Sequence, residues 1–154
     1  MRIMVVSDSH GRTEDTILEI ESVRPDAIFH LGDFWRDGEE LSFAYPEIPL
    51  YQVPGNCDWS VVGQPSEKLV TLGGIKFLLC HGHTYGVKNG YYSAVRHARS
   101  EGADVLLCGH THRPHYEEFG SLQLFNPGSV GYDHTYGIIT VQNGIASCSL
   151  RTMD

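Results

Sequence analysis

The chain has 154 residues, 41% of them hydrophobic, and a formal net charge of −8. That length suits a single domain, residues 1–154, with a proper core, and the acidic balance argues against a dedicated binder of long nucleic acids, which carries a basic track. No run approaches the roughly 18–20 apolar residues needed to span a bilayer, and the apolar run at the N-terminus is too short for a signal peptide, so a cytoplasmic protein with no membrane partner is expected.

Ile3 to Val6 is an apolar, β-branched run, as in a strand buried on both faces of a helix-covered sheet. It ends in Ser7-Asp8-Ser9-His10-Gly11, which places a carboxylate and an imidazole where ligands commonly bind in open α/β sheets. A turn with a helix cap explains the same residues. Thr13 to Val23 carries Ile17, Leu18, Ile20 and Val23 at amphipathic spacing, and Arg24-Pro25-Asp26 stops the helix. Ala27 to Leu31 reads as a second buried strand, ended by Gly32-Asp33. His30, inside it, suits the core or support of a neighbouring ligand. Gly38 to Ala44 can form a short helix. Leu50 to Val53 is a third strand, followed by Pro54-Gly55-Asn56-Cys57-Asp58. Asn56 tolerates left-handed turn geometry, yet it is the third polar group at a strand end.

Glu67 to Leu72 and Ile75 to Leu79 form a hairpin about Gly73-Gly74. The second strand runs into Cys80-His81-Gly82-His83. Thr84 to Gly90 is a glycine-punctuated loop. Tyr91 to Ser100 has helical spacing, with His97 read as a solvated face residue. Val105 to Cys108 is another buried strand, and it runs into Gly109-His110-Thr111-His112. In an extended segment the two imidazoles would point the same way, about 6.5–7 Å apart. Two further hairpins follow, Tyr116 to Phe125 about Gly120-Ser121 and Gly137 to Leu150 about Asn143-Gly144. Asn126-Pro127-Gly128-Ser129 between them is a turn. His115 and His134 fit no pattern and are assigned to the surface. The four cysteines, Cys57, Cys80, Cys108 and Cys148, are scattered and expected to be reduced. The last three read as small core residues. Strands alternate with helices early and hairpins dominate late, which suggests two packed sheets with helices outside.

Collected from the strand ends, Asp8, His10, Asp33, Asn56, His81, His110 and His112 offer oxygen and imidazole donors without a thiolate. That mixture suits Mn, Fe, Ni or Zn rather than Ca or a cysteine-rich structural zinc. Seven donors are too many for one ion with open positions and about right for two sharing a carboxylate.

In this order, Asp-Ser-His, Gly-Asp, Gly-Asn-Cys-Asp, His-Gly-His and Gly-His-Thr-His resemble the calcineurin-like metallophosphoesterase superfamily, in particular its small bacterial and archaeal phosphodiesterase branch. The resemblance runs from Asp8 to the Asn-Pro-Gly-Ser turn. It implies an α/β, four-layer α-β-β-α sandwich of two mixed sheets flanked by helices, with two divalent ions, manganese first among them. One ion would take Asp8, His10 and His112, the other Asn56, His81 and His110, with Asp33 between. The implied reaction is hydrolysis of a small phosphodiester by a hydroxide bridging the ions, with a monoesterase as the alternative. A further alternative is a non-catalytic protein-interaction scaffold, as in the retromer subunit of this fold. Many members have histidine after Gly-Asn; here Cys57 stands there, a poor substitute for an imidazolium. His83 is the candidate for the missing acid or a phosphate contact, beside Asn56 and Cys57, and serves equally as a hydrogen-bond partner only. Asp58 is expected to orient a ligand imidazole. Asn126 and Ser129 either line the site or only shape their turn. Physiological substrate and oligomeric state, homo-oligomers included, are open.

Overall fold

The computed structural model covers residues 1–154. Ten strands form two five-stranded sheets. The first contains β1 (Arg2–Val6), β2 (Ala27–His30), β3 (Leu50–Gln52), β9 (Thr135–Gln142) and β10 (Ile145–Thr152), in the order β10-β9-β1-β2-β3. The second contains β4 (Glu67–Leu72), β5 (Ile75–Cys80), β6 (Val105–Leu107), β7 (His115–Phe119) and β8 (Leu122–Asn126), in the order β4-β5-β6-β8-β7. Both sheets are mixed. Within each, three neighbouring strands are parallel, β1-β2-β3 and β5-β6-β8. The C-terminal ends of these six strands carry the loops of interest.

Alternation along the strands sorts their side chains into layers. Ile3, Val5, Phe29 and Leu31 of one sheet meet Phe77, Leu79, Val105 and Leu107 of the other in the inter-sheet core. Phe29 and Phe77 pack edge to face with centroids 5.3 Å apart, a favoured aromatic geometry. The intervening residues face outward. Met4, Val6 and Ile28 pack with Ile20 of α1 (Thr13–Val23) and Leu41 of α2 (Trp35–Ala44). Leu78, Leu106 and Leu124 pack with Ala94, Val95 and Ala98 of α3 (Tyr92–Ser100). These are the four layers expected. Burying each of the larger of these side chains contributes about 1.5–3 kcal/mol.

Several local expectations need correction. Leu18, counted on the apolar face of α1, is 68% exposed. The second helix begins at Trp35 rather than Gly38, because its first N–H group finds an acceptor far away in sequence, the Asp58 carboxylate. A further short helix, α4 (Val130–Asp133), follows the Asn-Pro-Gly-Ser turn, and the Ser129 hydroxyl accepts from Tyr132 N–H to cap it. The loop after β5 contains two single 3₁₀ turns. His97 is not merely solvated: its Nε2 lies 2.8 Å from a Glu67 carboxylate oxygen and its ring stacks on Tyr85, tying α3 to β4. His115 is half-buried and stacked on Tyr91. Cys80 and Cys108, distant in sequence, are buried free thiols whose Sγ atoms lie 3.4 Å apart, because β5 and β6 are parallel neighbours in register. No helix is long and apolar enough to cross a membrane.

The loop after β2 passes close to the loop after β3 and to the His81 ring of the second sheet at Gly32, where φ is +103° and a Cβ would lie 2.6 Å from Gly55 N and 2.8 Å from His81 Nδ1. Gly32→Ala is therefore expected to cost about 3 kcal/mol or more. Gly86→Ala, also left-handed but with open space around its Cβ position, should cost only about 1 kcal/mol. Chemical denaturation of the two variants checks this; equal losses would contradict the close packing at Gly32.

Candidate metal centre

Each of the seven expected donors leaves a parallel strand end or the loop just beyond it. Asp8 and His10 follow β1, Asp33 follows β2 and Asn56 follows β3. His81 follows β5, and His110 and His112 follow β6. Extended backbone is not how they are aimed. Nine non-glycine residues have positive φ, and six of them are Asp8, His10, Asp33, Phe34, His110 and His112. Left-handed backbone costs a non-glycine residue roughly 1–2 kcal/mol and persists where surrounding structure fixes it, most often at functional sites. The expectation that His110 and His112 lie parallel in an extended segment is thus wrong. They diverge: the His110 ring lies 5.0 Å from His81, and the His112 ring lies 5.9 Å from His10.

Asp8 and Asp33 sit between these two groups of imidazoles, 0% and 3% exposed. Their only ion-pair neighbours are histidines. Asp8 Oδ2 accepts from Ser7 Oγ at 2.5 Å and from His110 N–H at 3.1 Å, which leaves Oδ1 facing His112 Nε2 at 3.1 Å. Burial opposes ionisation of Asp33, but the His81 imidazole and the Cys57 N–H hold its carboxyl below the usual range. The Cys57 N–H donates to Asp33 Oδ1 at 2.9 Å. Asp33 Oδ2 lies 4.0 Å from His10 Nε2, a buried ring nitrogen with no hydrogen-bond partner. One donor atom each from Asp8, His10, Asp33 and His112 falls within 4.8 Å of all the others. An ion with bonds of about 2.1 Å spans opposite donors about 4.2 Å apart, so a small contraction closes the set.

The other side shows the same mismatch of acceptors. His81 is fully buried, and its Nδ1 lies 2.8 Å from the Leu31 carbonyl. A carbonyl only accepts, so Nδ1 carries the proton and Nε2 presents its lone pair. That lone pair faces Asn56 Oδ1 at 3.0 Å and Asp33 Oδ1 at 3.6 Å, acceptors all. Burial first, then the proximity of His81 and the Lys88 ammonium, push His110 down to about 4, which keeps its imidazole neutral and able to ligate at neutral pH. Two buried carboxylates with no lysine or arginine beside them, and a His81 Nε2 lone pair that meets only acceptors, are costly unless a cation joins them. The donor set therefore fits divalent transition-metal ions on an observation internal to the fold.

Supporting contacts differ in part from expectation. Asp58, expected to orient an imidazole, instead accepts three backbone N–H groups: Asp33 at 2.9 Å, Gly55 at 2.8 Å and Trp35 at 2.7 Å. It fixes the Asp33 loop and caps the start of α2. Asp37 has no counterpart in the sequence analysis. Its carboxylate accepts from Ser9 Oγ at 2.6 Å and Gly11 N–H at 2.7 Å. Ser9 in turn lies 2.9 Å from His30 Nε2, and the Gly32 N–H donates to His30 Nδ1. Burial lowers the His30 pKa, so this imidazole is a neutral link between the first two loops. Asn126 and Ser129 are buried builders of the loops: the Asn126 amide donates to the Gly109 carbonyl at 3.0 Å, and Ser129 Oγ to the Asp8 carbonyl at 2.9 Å. Gly109 has no room for a side chain, since a Cβ would fall against Ser7 Oγ and lie 2.9 Å from Asp8 Oδ2.

Cys57 is exposed at the rim, and burial of its thiol and the Asp33 carboxylate raise its pKa, so it remains a neutral thiol. His83 lies beside His81, with ring centroids 5.4 Å apart. Burial and His81 push its pKa down, and its Nδ1 is buried without a partner.

The profile of the calcineurin-like phosphoesterase superfamily domain matches residues 1–144. A Bacillus subtilis protein named "Probable metallophosphoesterase YsnB" is 33% identical, over 96% of this chain and 88% of its own. The Escherichia coli K12 protein named "Phosphodiesterase YfcE" is 29% identical, over 90% of this chain and 87% of its own. A Streptococcus pneumoniae crystal structure described as a predicted phosphoesterase superposes with a TM-score of 0.80 at 25% identity, covering 98% of this chain and 88% of that one.

Manganese added to metal-stripped protein is expected to raise Tm. Binding at 100 times Kd adds about 2.7 kcal/mol per site, or about 5–10 °C. Asp58→Ala is expected to weaken manganese binding about 10–100-fold, although that carboxylate touches only backbone N–H groups. Calorimetric titration measures both proteins; equal affinities would show that the Asp33 loop does not depend on Asp58.

Proposed function

The chain belongs to the calcineurin-like phosphoesterase superfamily, and on that premise we propose that it is a phosphodiesterase working with two divalent ions, manganese first. The observation that carries this reading is the pair of buried carboxylates flanked by two diverging groups of histidines. Asp8, His10 and His112 would hold one ion; Asn56, His81 and His110 the other; Asp33 would serve both. Bound there, the ions would supply Lewis acidity that makes a water nucleophilic near neutral pH and offsets charge on the phosphoryl oxygens.

The chain's own residues determine the rest. The Leu31 carbonyl fixes the His81 tautomer with Nε2 free to bind. Neutral Asn56 limits total ligand charge to that of two carboxylates, which preserves electrophilicity. Cys57 is a neutral, weakly acidic thiol and supplies no imidazolium, so leaving groups that depart without strong protonation suit the site best. His83, neutral and half-buried, contacts the bound ester through a ring N–H rather than acting as a resting acid. The diester assignment draws on YfcE, a relative named as a phosphodiesterase. Residues 1–154 act as one domain, in the cytoplasm, on a small diester.

Metal-stripped protein given manganese is expected to hydrolyse bis(p-nitrophenyl) phosphate faster than p-nitrophenyl phosphate. His110→Ala and Asp33→Ala should each reduce that activity by more than about 100-fold, the most that losing even an indirect partner of a ligand costs. Folded wild-type protein inert with Mn, Ni, Fe and Zn would overturn the hydrolase reading, and faster monoester turnover would overturn the diester preference.

A further inference from the structure

Beside the His110–His112 loop lies a cleft of about 620 Å³, within the roughly 300–1,000 Å³ of ligand pockets. Its walls include Lys88, Tyr91, Thr111, Arg113 and His115. Thr111 stands between the two histidines of the loop, so the cleft opens directly beside the donor cluster. No carboxylate lines it. That is unusual on a chain with 19 acidic residues against 11 Lys and Arg. Two exposed arginines elsewhere are paired, Arg12 with Asp15 and Arg36 with Glu40, each at 3.5 Å; Arg2, Arg24, Arg96, Arg99 and Arg151 are exposed without an ion pair, but none of them lines this cleft. Lys88 and Arg113 are exposed and make no ion pair.

The cleft's polar wall is also organised. The Asn126 amide lies 3.1 Å from Tyr91 Oη and 3.0 Å from Thr111 Oγ1. The amide nitrogen only donates, sharing its two N–H groups among these hydroxyls and the Gly109 carbonyl, so the Tyr91 hydroxyl does not spend its own proton there. His115 stacks on Tyr91 with ring centroids 5.1 Å apart, and its Nε2 is engaged by Glu117 at 2.9 Å. It therefore closes one wall and leaves the charge to Lys88 and Arg113.

We propose that this cleft is a second-anion subsite: Lys88 and Arg113 bind a phosphate carried on the substrate's ester group, away from the reacting phosphorus. The inference rests on the phosphodiesterase reading for its place in catalysis. A phosphate presents several terminal oxygens, enough for an ammonium, a guanidinium fork and a hydroxyl at once. A hydrocarbon or neutral sugar would leave both cations unanswered. The natural substrate is accordingly a phosphodiester bearing a second, terminal phosphate, in the class of phosphorylated nucleotides.

The test compares thymidine 5′-(p-nitrophenyl phosphate) bearing a 3′-phosphate with the same ester bearing a 3′-hydroxyl. Manganese-loaded wild type is expected to favour the 3′-phosphate through KM by about tenfold or more, the scale of charge-assisted contacts. In the Lys88→Gln/Arg113→Gln double variant that ratio should fall towards one. Both positions are exposed, and a thermal melt verifies the variant's fold. A second arm titrates thymidine 3′,5′-bisphosphate and thymidine 5′-monophosphate into both manganese-loaded proteins by calorimetry. The bisphosphate should bind the wild type tighter, and the variant should lose that advantage. No 3′-phosphate preference in the wild type, or a preference the variant retains, overturns the subsite. Failure of the wild type to hydrolyse either ester overturns the hydrolase reading alone; the calorimetric arm then decides the subsite by itself.

Discussion

Two carboxylates are buried where no lysine or arginine reaches them, and the rest of the site is arranged around that fact. Asp8 and Asp33 face imidazole rings rather than lysine or arginine, and the His81 Nε2 between them also faces an amide oxygen. In a low-dielectric setting such a cluster is strongly unfavourable by itself. The fold nevertheless assembles it from strand ends of both sheets, using left-handed backbone at Asp8, His10, Asp33, His110 and His112. Five of the nine left-handed non-glycine residues are donors, and strain gathered in this way is the mark of a functional geometry.

The cluster survives because its supports are themselves buried and hydrogen-bonded. Asp58 gathers the N–H groups of Asp33, Trp35 and Gly55, joining the loops after β2 and β3. The chain from Gly32 through His30 and Ser9 to Asp37 joins the loops after β1 and β2. The His81 ring reaches across from the second sheet to Leu31. His110 N–H reaches back to Asp8. The two sheets are thus tied at their functional edge by polar contacts, and below it by the apolar core around Phe29 and Phe77. Such satisfied networks fix donor positions in a way that apolar packing alone does not.

Much of this was legible in the sequence because parallel strands buried on both faces read as continuous apolar runs. Ile3 to Val6 and Val105 to Leu107 stand out in that way, and the polar residue at the end of each marks a loop at the functional edge. The Asn143-Gly144 hairpin and the Arg24-Pro25 stop are local signals and fall where expected. What stayed hidden depends on partners far away in sequence. The first turn of α2 forms because Asp58 caps it from 23 residues away. Asp37 is one of four acids from Trp35 to Glu47, and only the fold brings Ser9 and Gly11 to it. The Cys80 and Cys108 contact requires knowing that β5 and β6 are neighbours. Backbone φ at His110 and His112 is equally invisible in residue types, so an extended segment was the natural expectation and gave the wrong relative aim.

The central claim is that the two diverging histidine groups serve separate ions about a common Asp33. Anomalous diffraction from crystals grown with manganese tests it most directly. The account predicts two peaks per chain, one among Asp8, His10 and His112, the other among Asn56, His81 and His110, with the Asp33 carboxylate between them. A single peak confined to Asp8, His10, Asp33 and His112, with none beside His81, would contradict it.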